Sequence, residues 1–171
     1  MIRVLADDRE AVSGVVEVLR LCPDCQVEVK RLRLGDYQVG GRLLFERKTL
    51  RDLVVSIIDG RFLSQARRLA SGPLRPIIIL EGTARDLAES GMSREAIQGA
   101  LITATVMLGI PLLRARDASD SAQLMIFAAR QSAALVTGAL PRVGSWPKSK
   151  HALQLHILQG LQMSGRCAPD V

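Results

Sequence analysis

Apolar and polar positions along the chain follow two periods, and each stretch of one period marks an element. Ile2 to Ala6 is a short apolar run ending abruptly in Asp7-Asp8-Arg9-Glu10, which reads as a strand. From Glu10 to Leu21, Val12, Val15, Val16 and Leu19 form a helical stripe. Gln26 to Leu34 alternates Val27, Val29 and Leu32 with charged residues, as a strand with one wet face does. Two more alternating runs, Asp36 to Val39 and Leu43 to Lys48, flank Gly40-Gly41 and predict a hairpin. Thr49 is then placed to cap a helix over Leu50 to Ile58, with Leu53, Val54, Ile57 and Ile58 on its apolar face.

The second half continues the alternation of helix and strand. Asp59-Gly60-Arg61 breaks the chain before a basic helix carrying Arg61, Gln65, Arg67 and Arg68. Arg75 to Gly82 is a continuous apolar run between turn residues, the mark of a strand covered on both faces and central in its sheet. Ser93 opens a helix through Ile97, Leu101, Thr105 and Leu108 to Gly109. Ile110 to Leu113 is a short strand whose Pro111 suits a sheet edge or a strand start. Asp120 to Val136 is a helix with apolar residues on nearly all sides, which calls for burial on both and so for an interface. Leu140 to Lys150, with Pro141, Gly144, Ser145 and Pro147, reads as a linker in which Trp146 anchors the chain against the domain. Lys150 to Leu161 can form one amphipathic helix. The organisation expected is a domain over 1–138, a linker over 139–149 and a short helical tail over 150–171.

Composition narrows the class. With 171 residues and 48% hydrophobic content the chain can build one α/β domain with a proper core and a small appendage. A net charge of +6 and a pI near 9.9 favour an anionic partner. Aromatics make up only 3%, so base-stacking platforms give way to backbone contact by Arg and Lys. Acidic residues by Asp7 speak against a signal peptide, and no apolar run is long enough to span a bilayer. The expected location is cytoplasmic, nucleoid-associated in use, with no membrane partner. Cys22-Pro23-Asp24-Cys25 has no second pair, and His151 and His156 lie too far along to complete a zinc site. It reads as a turn between helix and strand with reduced thiols.

The candidate chemistry lies in the hairpin. A two-residue loop at Gly40-Gly41 would put Asp36 opposite Phe45 and set Asp36 and Glu46 on opposite faces. A three-residue loop, Gly40-Gly41-Arg42, with a glycine in the left-handed region instead puts Asp36 opposite Glu46, roughly 5 Å apart at Cβ. Carboxylates that close repel and need a cation, most naturally Mg²⁺ or Mn²⁺ held by oxygen ligands. Lys48, two residues from Glu46, shares its face, and Arg47 takes the other. Such a lysine could orient a water or balance charge on a phosphate. The acids Asp7, Asp8 and Glu10 stand where a strand end often marks a site, although acids also suit an ordinary helix N-terminus.

Gly35-Asp36-Tyr37, then Glu46-Arg47-Lys48-Thr49-Leu50-Arg51-Asp52, preceded by Asp7-Asp8-Arg9-Glu10, resembles the XPF-type family of structure-specific DNA endonucleases, whose signature is GDx, a gap, then ERKxxxD. The similarity runs from about Val4 to about Gly138 and includes SIIDGRFLSQARRL and PIIILEG. It implies a three-layer α/β fold of the restriction-endonuclease-like type, with a mixed sheet carrying the acidic site at one edge. It also implies metal-dependent cleavage of branched DNA, as at flaps, forks or recombination intermediates, in repair or recombination. In that reading Asp36 and Glu46 hold the metal, Lys48 orients water, and Arg47 belongs to the catalytic motif. Asp52, Asp7 and Glu10 are outer ligands or support, and Arg9 holds the acids or a phosphate. Arg61 and Gln65 fall close to the cleavage site, while Arg67 and Arg68 suit either phosphate contact or a solvated helix face. The family pairs nuclease domains through late helices, which points to a homodimer, with other repair proteins as further partners. HALQLHILQGL resembles the start of a helix-hairpin-helix module, but Gln162 to Cys167 departs from it, so one subunit cannot complete that module. The alternative is a non-catalytic DNA-binding scaffold subunit, a class that usually loses acidic residues which this chain keeps.

Overall fold

The computed structural model describes residues 1–83, 85–86 and 91–137. By contact density the chain divides into two units, Met1–Ala133 and Ala134–Val171. The expected linker, Trp146 and the tail helix lie outside the described residues. Strands β1 (Ile2–Ala6), β2 (Cys25–Val29), β3 (Tyr37–Val39), β4 (Leu43–Thr49), β5 (Arg75–Glu81) and β6 (Leu112–Ala115) form one sheet in the order β2-β1-β3-β4-β5-β6. The α-helices include α1 (Val15–Leu21), α2 (Leu50–Ile58), α3 (Arg61–Ala70), α4 (Arg94–Ile102) and α5 (Ala118–Val136). The sheet is mixed: β3 is antiparallel to both β1 and β4, and the other pairings are parallel.

Alternation along the strands sorts the apolar side chains into two cores, which makes the three layers. On one face Val4, Tyr37, Phe45, Ile77 and Ile79 pack with Val15, Val16 and Leu19 of α1 and with Ala122, Met125 and Ala129 of α5. On the other, Leu44, Ile78 and Leu80 pack with Leu50, Leu53 and Val54 of α2, Phe62, Ala66 and Leu69 of α3 and Ile97 of α4. Successive residues Ile77 to Leu80 thus feed opposite cores, as the unbroken apolar run predicts. β5 is interior to the sheet, and β6 is an edge strand that begins just after Pro111, where a missing N–H costs no ladder bond.

Several boundaries depart from the pattern. α1 starts at Val15 rather than Glu10, because Gly14 takes φ 78 and the Ser13 hydroxyl accepts from the Val15 N–H; Asp8–Glu10 is a separate 3-10 turn. Val12, expected on the apolar stripe, is accordingly exposed. β2 stops at Val29, since beyond Lys30 the chain leaves the sheet, and the Leu32 N–H is taken by the Asp7 carboxylate. α4 runs into a π-helical turn, Thr103–Met107, before Gly109. The acidic site was expected at an edge of the sheet. It lies at the two middle strands, β3 and β4, because this hairpin is inserted between β1 and β5.

The hairpin has the expected loop. Val39 pairs with Leu43, leaving Gly40-Gly41-Arg42 between them, and both glycines have positive φ, 61 and 69. Cys22-Pro23-Asp24-Cys25 is a turn closed by the Cys25 N–H on the Cys22 carbonyl at 3.0 Å, with both thiols free. No helix among the described residues is long and apolar enough to cross a membrane.

Candidate active site

Asp36 enters the sheet through a tight approach. Gly35 before it has φ 69, and a Cβ there would stand 2.6 Å from Leu44 Cδ1, so only glycine lets the chain come this close to β4. The backbone of Asp36 is then held on both sides: its N–H donates to the Phe45 carbonyl at 2.8 Å and its carbonyl accepts from the Asp7 N–H at 2.7 Å. One carboxylate oxygen, Oδ2, accepts the Arg47 backbone N–H at 2.9 Å. Glu46, on β4, shares the α3 side of the sheet with Leu44 and lines the same cavity as Asp36. Lys48 lies 3.8 Å from Glu46 Oε1, with side chains 11% and 13% exposed.

This cavity has a volume of about 90 Å³, room for a few waters. Asp36, Glu46, Gly35, Leu34, Arg9, Gln65 and Arg68 are among its walls. Burial pushes the Asp36 carboxyl up to about 7, and the Glu46 and Glu10 charges add to the push. Glu46 is also raised, by burial against the pull of Lys48, Arg9 and Arg68. Two half-buried carboxylates raised by desolvation are what a hard divalent cation relieves, and oxygen is its preferred donor. Gln65 supplies a further sign. Its Oε1 is buried without a hydrogen-bond partner, and such an atom on the wall of a polar cavity accepts from a ligand or its water. The donor set therefore fits Mg²⁺ or Mn²⁺. Asp36 and Glu46 are the two carboxylates available to hold it.

Arg47 faces away. Its guanidinium forks onto Glu81 at 2.7 and 2.5 Å and reaches Glu10 at 3.3 Å. Tyr37 donates to Glu10 at 2.7 Å, and the Ser121 hydroxyl of α5 donates to Glu81 at 2.6 Å. Arg47, expected at the catalytic centre, thus joins a buried network on the α5 side, because strand alternation turns it away from Glu46; Glu10 takes part in that network while its charge still acts on both Asp36 and Glu46. Asp7, expected near the metal, is fully buried and occupied: it accepts from Arg9 N, Arg9 Nε and Leu32 N. Burial opposes its ionisation, yet these donors hold its carboxyl well below the usual range. Asp52 accepts from the Thr49 hydroxyl at 2.7 Å while its N–H donates back at 3.1 Å, a helix cap at the surface rather than a wall of the cavity. Arg61 pairs with Asp59 at 2.6 Å, also off the wall. Arg9, Gln65 and Arg68 do line the cavity, and Arg67 lies just outside it.

Two residues escaped the sequence reading. Glu81, which completes the Arg47 network, was signalled only as an acid ending an apolar strand. Arg33, a wall residue, was signalled only by its place one step before Leu34-Gly35-Asp36.

A match to the ERCC4 domain covers residues 6–127. The chain belongs to the ERCC4-domain family of XPF-type nucleases. Within that family it is 35% identical over 125 residues to the 3′-flap repair endonuclease Xpf of Saccharolobus solfataricus, covering 73% of this chain and 53% of that protein. The chain thus spans about half the length of that relative. Among ERCC4-domain structures, XPF from Aeropyrum pernix superposes with TM-score 0.68 at 30% identity over 92% of this chain and 73% of that one. The same protein in complex with DNA gives TM-score 0.69 at 28% identity, over 99% and 87% of the two chains. The three-layer fold with its mixed sheet is therefore that of the XPF nuclease domain.

The raised Asp36 carboxyl has a measurable consequence in the ERCC4 domain without metal. A folded-state pKa above the unfolded value of 3.8 means that the folded protein binds more protons between about pH 4 and 7. Stability from this group is therefore present at low pH and lost as pH rises through about 7. Mg²⁺ should reverse the loss, so the gain in melting temperature on adding it should grow from pH 5 to pH 8, to on the order of 5 °C. Asp36→Asn should flatten that dependence. A Mg²⁺ gain equal at pH 5 and pH 8 would count against this site.

Proposed function

We propose that this protein is a metal-dependent endonuclease that hydrolyses phosphodiester bonds in branched DNA, at flaps, forks or recombination intermediates, with Asp36 and Glu46 as the metal ligands. The observation that carries the reading is the pair of half-buried carboxylates lining one cavity, both pushed toward protonation by desolvation, with Lys48 beside Glu46. Mg²⁺ or Mn²⁺ bound there supplies Lewis acidity toward the phosphoryl oxygen. Lys48 offers an ammonium to the charge that builds on the phosphate, and the low exposure of the Lys48–Glu46 pair strengthens that attraction. Gln65 Oε1 accepts a hydrogen bond from water and so turns the water oxygen toward the phosphorus. Arg9 and Arg68 flank the cavity and hold the strand by its phosphates. The relatives' names, an archaeal flap endonuclease and an XPF solved with DNA, support branched DNA as the substrate class.

One assay tests the reading. The full chain is incubated with end-labelled flap, fork, four-way and plain duplex DNA in Mg²⁺ and in Mn²⁺. Cuts confined to the branched substrates and suppressed by chelation are expected; indifference to branching or to chelation refutes it.

The active form is a homodimer in this reading, and the structure changes where the contact is sought. Met125 of α5 is fully buried in the chain's own core, so it cannot serve a partner and a charge there would unfold the domain. Phe127 on the same helix is 36% exposed, and Ile102, Val106 and Met107 at the end of α4 and in the π turn are exposed as well. Exposed large apolar side chains on these late elements favour a self-complementary interface. Phe127→Glu should leave folding intact and shift sedimentation at micromolar concentration from dimer to monomer. A wild type that already sediments as a monomer ends the idea.

A further inference from the structure

Beside the acidic cavity runs a second, wider cleft of about 450 Å³, lined by Arg33, Leu34, Arg67, Arg68, Ser71 and Gly72. The two share Arg33, Leu34 and Arg68, so they are neighbouring parts of one surface. The floor of the cleft is a close approach: a Cβ on Gly72 would stand 2.9 Å from Leu34 Cδ2, which seats the segment before Asp36 directly on the end of α3. Arg33 therefore rises from one wall and Arg67 and Arg68 from the other.

The charge in this cleft is uncompensated at Arg33 and Arg67, and Arg68 is offset only in part, by Glu46 of the adjoining cavity. Arg3, Arg31, Arg61 and Arg130, also on the surface, each pair with a carboxylate. The guanidiniums of Arg33, Arg67 and Arg68 have no hydrogen bond or ion pair among the described residues, and no acid lines the cleft. Three cations that share one concavity repel unless an anion joins them, and a guanidinium fork matches phosphate geometry. Arg67 and Arg68 alone could be read as the basic last turn that complements a helix dipole. Arg33 is not on that helix, and the dipole does not account for it. Moreover, the carbonyls of Arg67 and Leu69 are already taken by Ser71 and Gly72 N–H groups, and the Ser71 hydroxyl bonds Arg67 as well.

We propose that the cleft between Arg33 and the Arg67–Arg68 pair is a second phosphate site, holding a phosphate that flanks the one presented to Asp36 and Glu46 and so fixing which bond is cut. This rests on the nuclease reading above. The cleft admits a backbone phosphodiester or a terminal phosphate monoester, and the chemistry recognised is the same.

Binding without cleavage tests it. The chain in chelator is titrated against a fluorescent flap duplex, comparing wild type, Arg33→Ala and Arg20→Ala, the last removing an equal exposed charge on α1, which packs on the opposite face of the sheet from α3. Arg33→Ala should weaken binding roughly 5- to 30-fold and reduce the salt slope by about one, with Arg20→Ala within about twofold. A single neutral methylphosphonate is then walked along the strands around the junction, and a parallel arm exchanges terminal phosphate for hydroxyl. One internal position, or the terminus, should weaken the wild type several-fold and leave Arg33→Ala unaffected, since the two changes remove the same contact. If wild type binds and cuts while Arg33→Ala matches it, or no single phosphate couples to Arg33, the cleft proposal falls alone. Failure of the wild type to bind or cut branched DNA at all overturns the nuclease reading together with it.

Discussion

Asp36→Asn should abolish cleavage, by about three orders of magnitude or more, and leave DNA affinity in metal-free buffer within a few-fold of wild type or somewhat tighter. The substitution keeps the shape of the side chain, and an amide oxygen can still accept the Arg47 N–H that now goes to Oδ2. What it removes is one of the two negative charges that make the cavity hungry for a cation. Loss of a group that acts on the developing charge costs rate rather than ground-state binding. Removing a carboxylate near the bound backbone also lessens its repulsion of phosphate. The same change should raise the melting temperature of the metal-free protein at pH 8, where ionised Asp36 and Glu46 oppose one another. Lys48→Ala should share the kinetic phenotype without the stability gain. Cleavage near the wild-type rate in Asp36→Asn would remove this residue from the site.

Arg47→Ala should instead act on stability. Its guanidinium is 12% exposed and joins Glu81 and Glu10, themselves 11% and 16% exposed. Removing it strands two carboxylates in a low-dielectric pocket, for which breaking a buried pair sets a cost of about 3–5 kcal/mol. For a chain of this size that lowers the melting temperature by on the order of 10 °C. Arg47→Lys keeps the charge but loses the fork on Glu81, and its loss should be intermediate. Whichever variant remains folded at 20 °C should cut DNA at near the wild-type rate, because the Arg47 backbone N–H still holds Asp36 and the missing side chain lies across the sheet from Glu46. An Arg47→Ala protein with an unchanged melting curve and no activity would place the guanidinium in the chemistry and overturn this assignment.

These two substitutions also mark how far the sequence could be read. Period-two alternation in Leu43 to Lys48 assigned Glu46 and Lys48 to one face and Arg47 to the other, and the even separation of Asp36 from Glu46 required the three-residue loop that is found. Both inferences concern local geometry, where the chain's own stereochemistry decides. Who meets Arg47 on the far side could not be read, because Glu81 and Ser121 arrive from a strand and a helix distant in sequence. For the same reason Asp7 and Glu10 could be placed near the hairpin but not told apart from ligands: only the folded chain shows that Leu32 and Arg9 have claimed one and Tyr37 and Arg47 the other. Met125 and Phe127 sit two apart on a helix with little amphipathic contrast, so pattern alone could not say which enters the core. The placement of the site at mid-sheet rather than at an edge follows from strand order, a long-range property on which alternation is silent.

The bond from the Arg47 amide to Asp36 Oδ2 makes that amide an internal spectroscopic reporter. Its proton resonance depends on whether its acceptor is a carboxylate, a carboxylic acid or an oxygen shared with a cation. In a ¹H–¹⁵N spectrum the Arg47 peak should therefore move with pH as Asp36 titrates, and move again when Mg²⁺ arrives, with no label introduced. Occupancy of the site could thus be followed by this single resonance in a protein that has no DNA to cut.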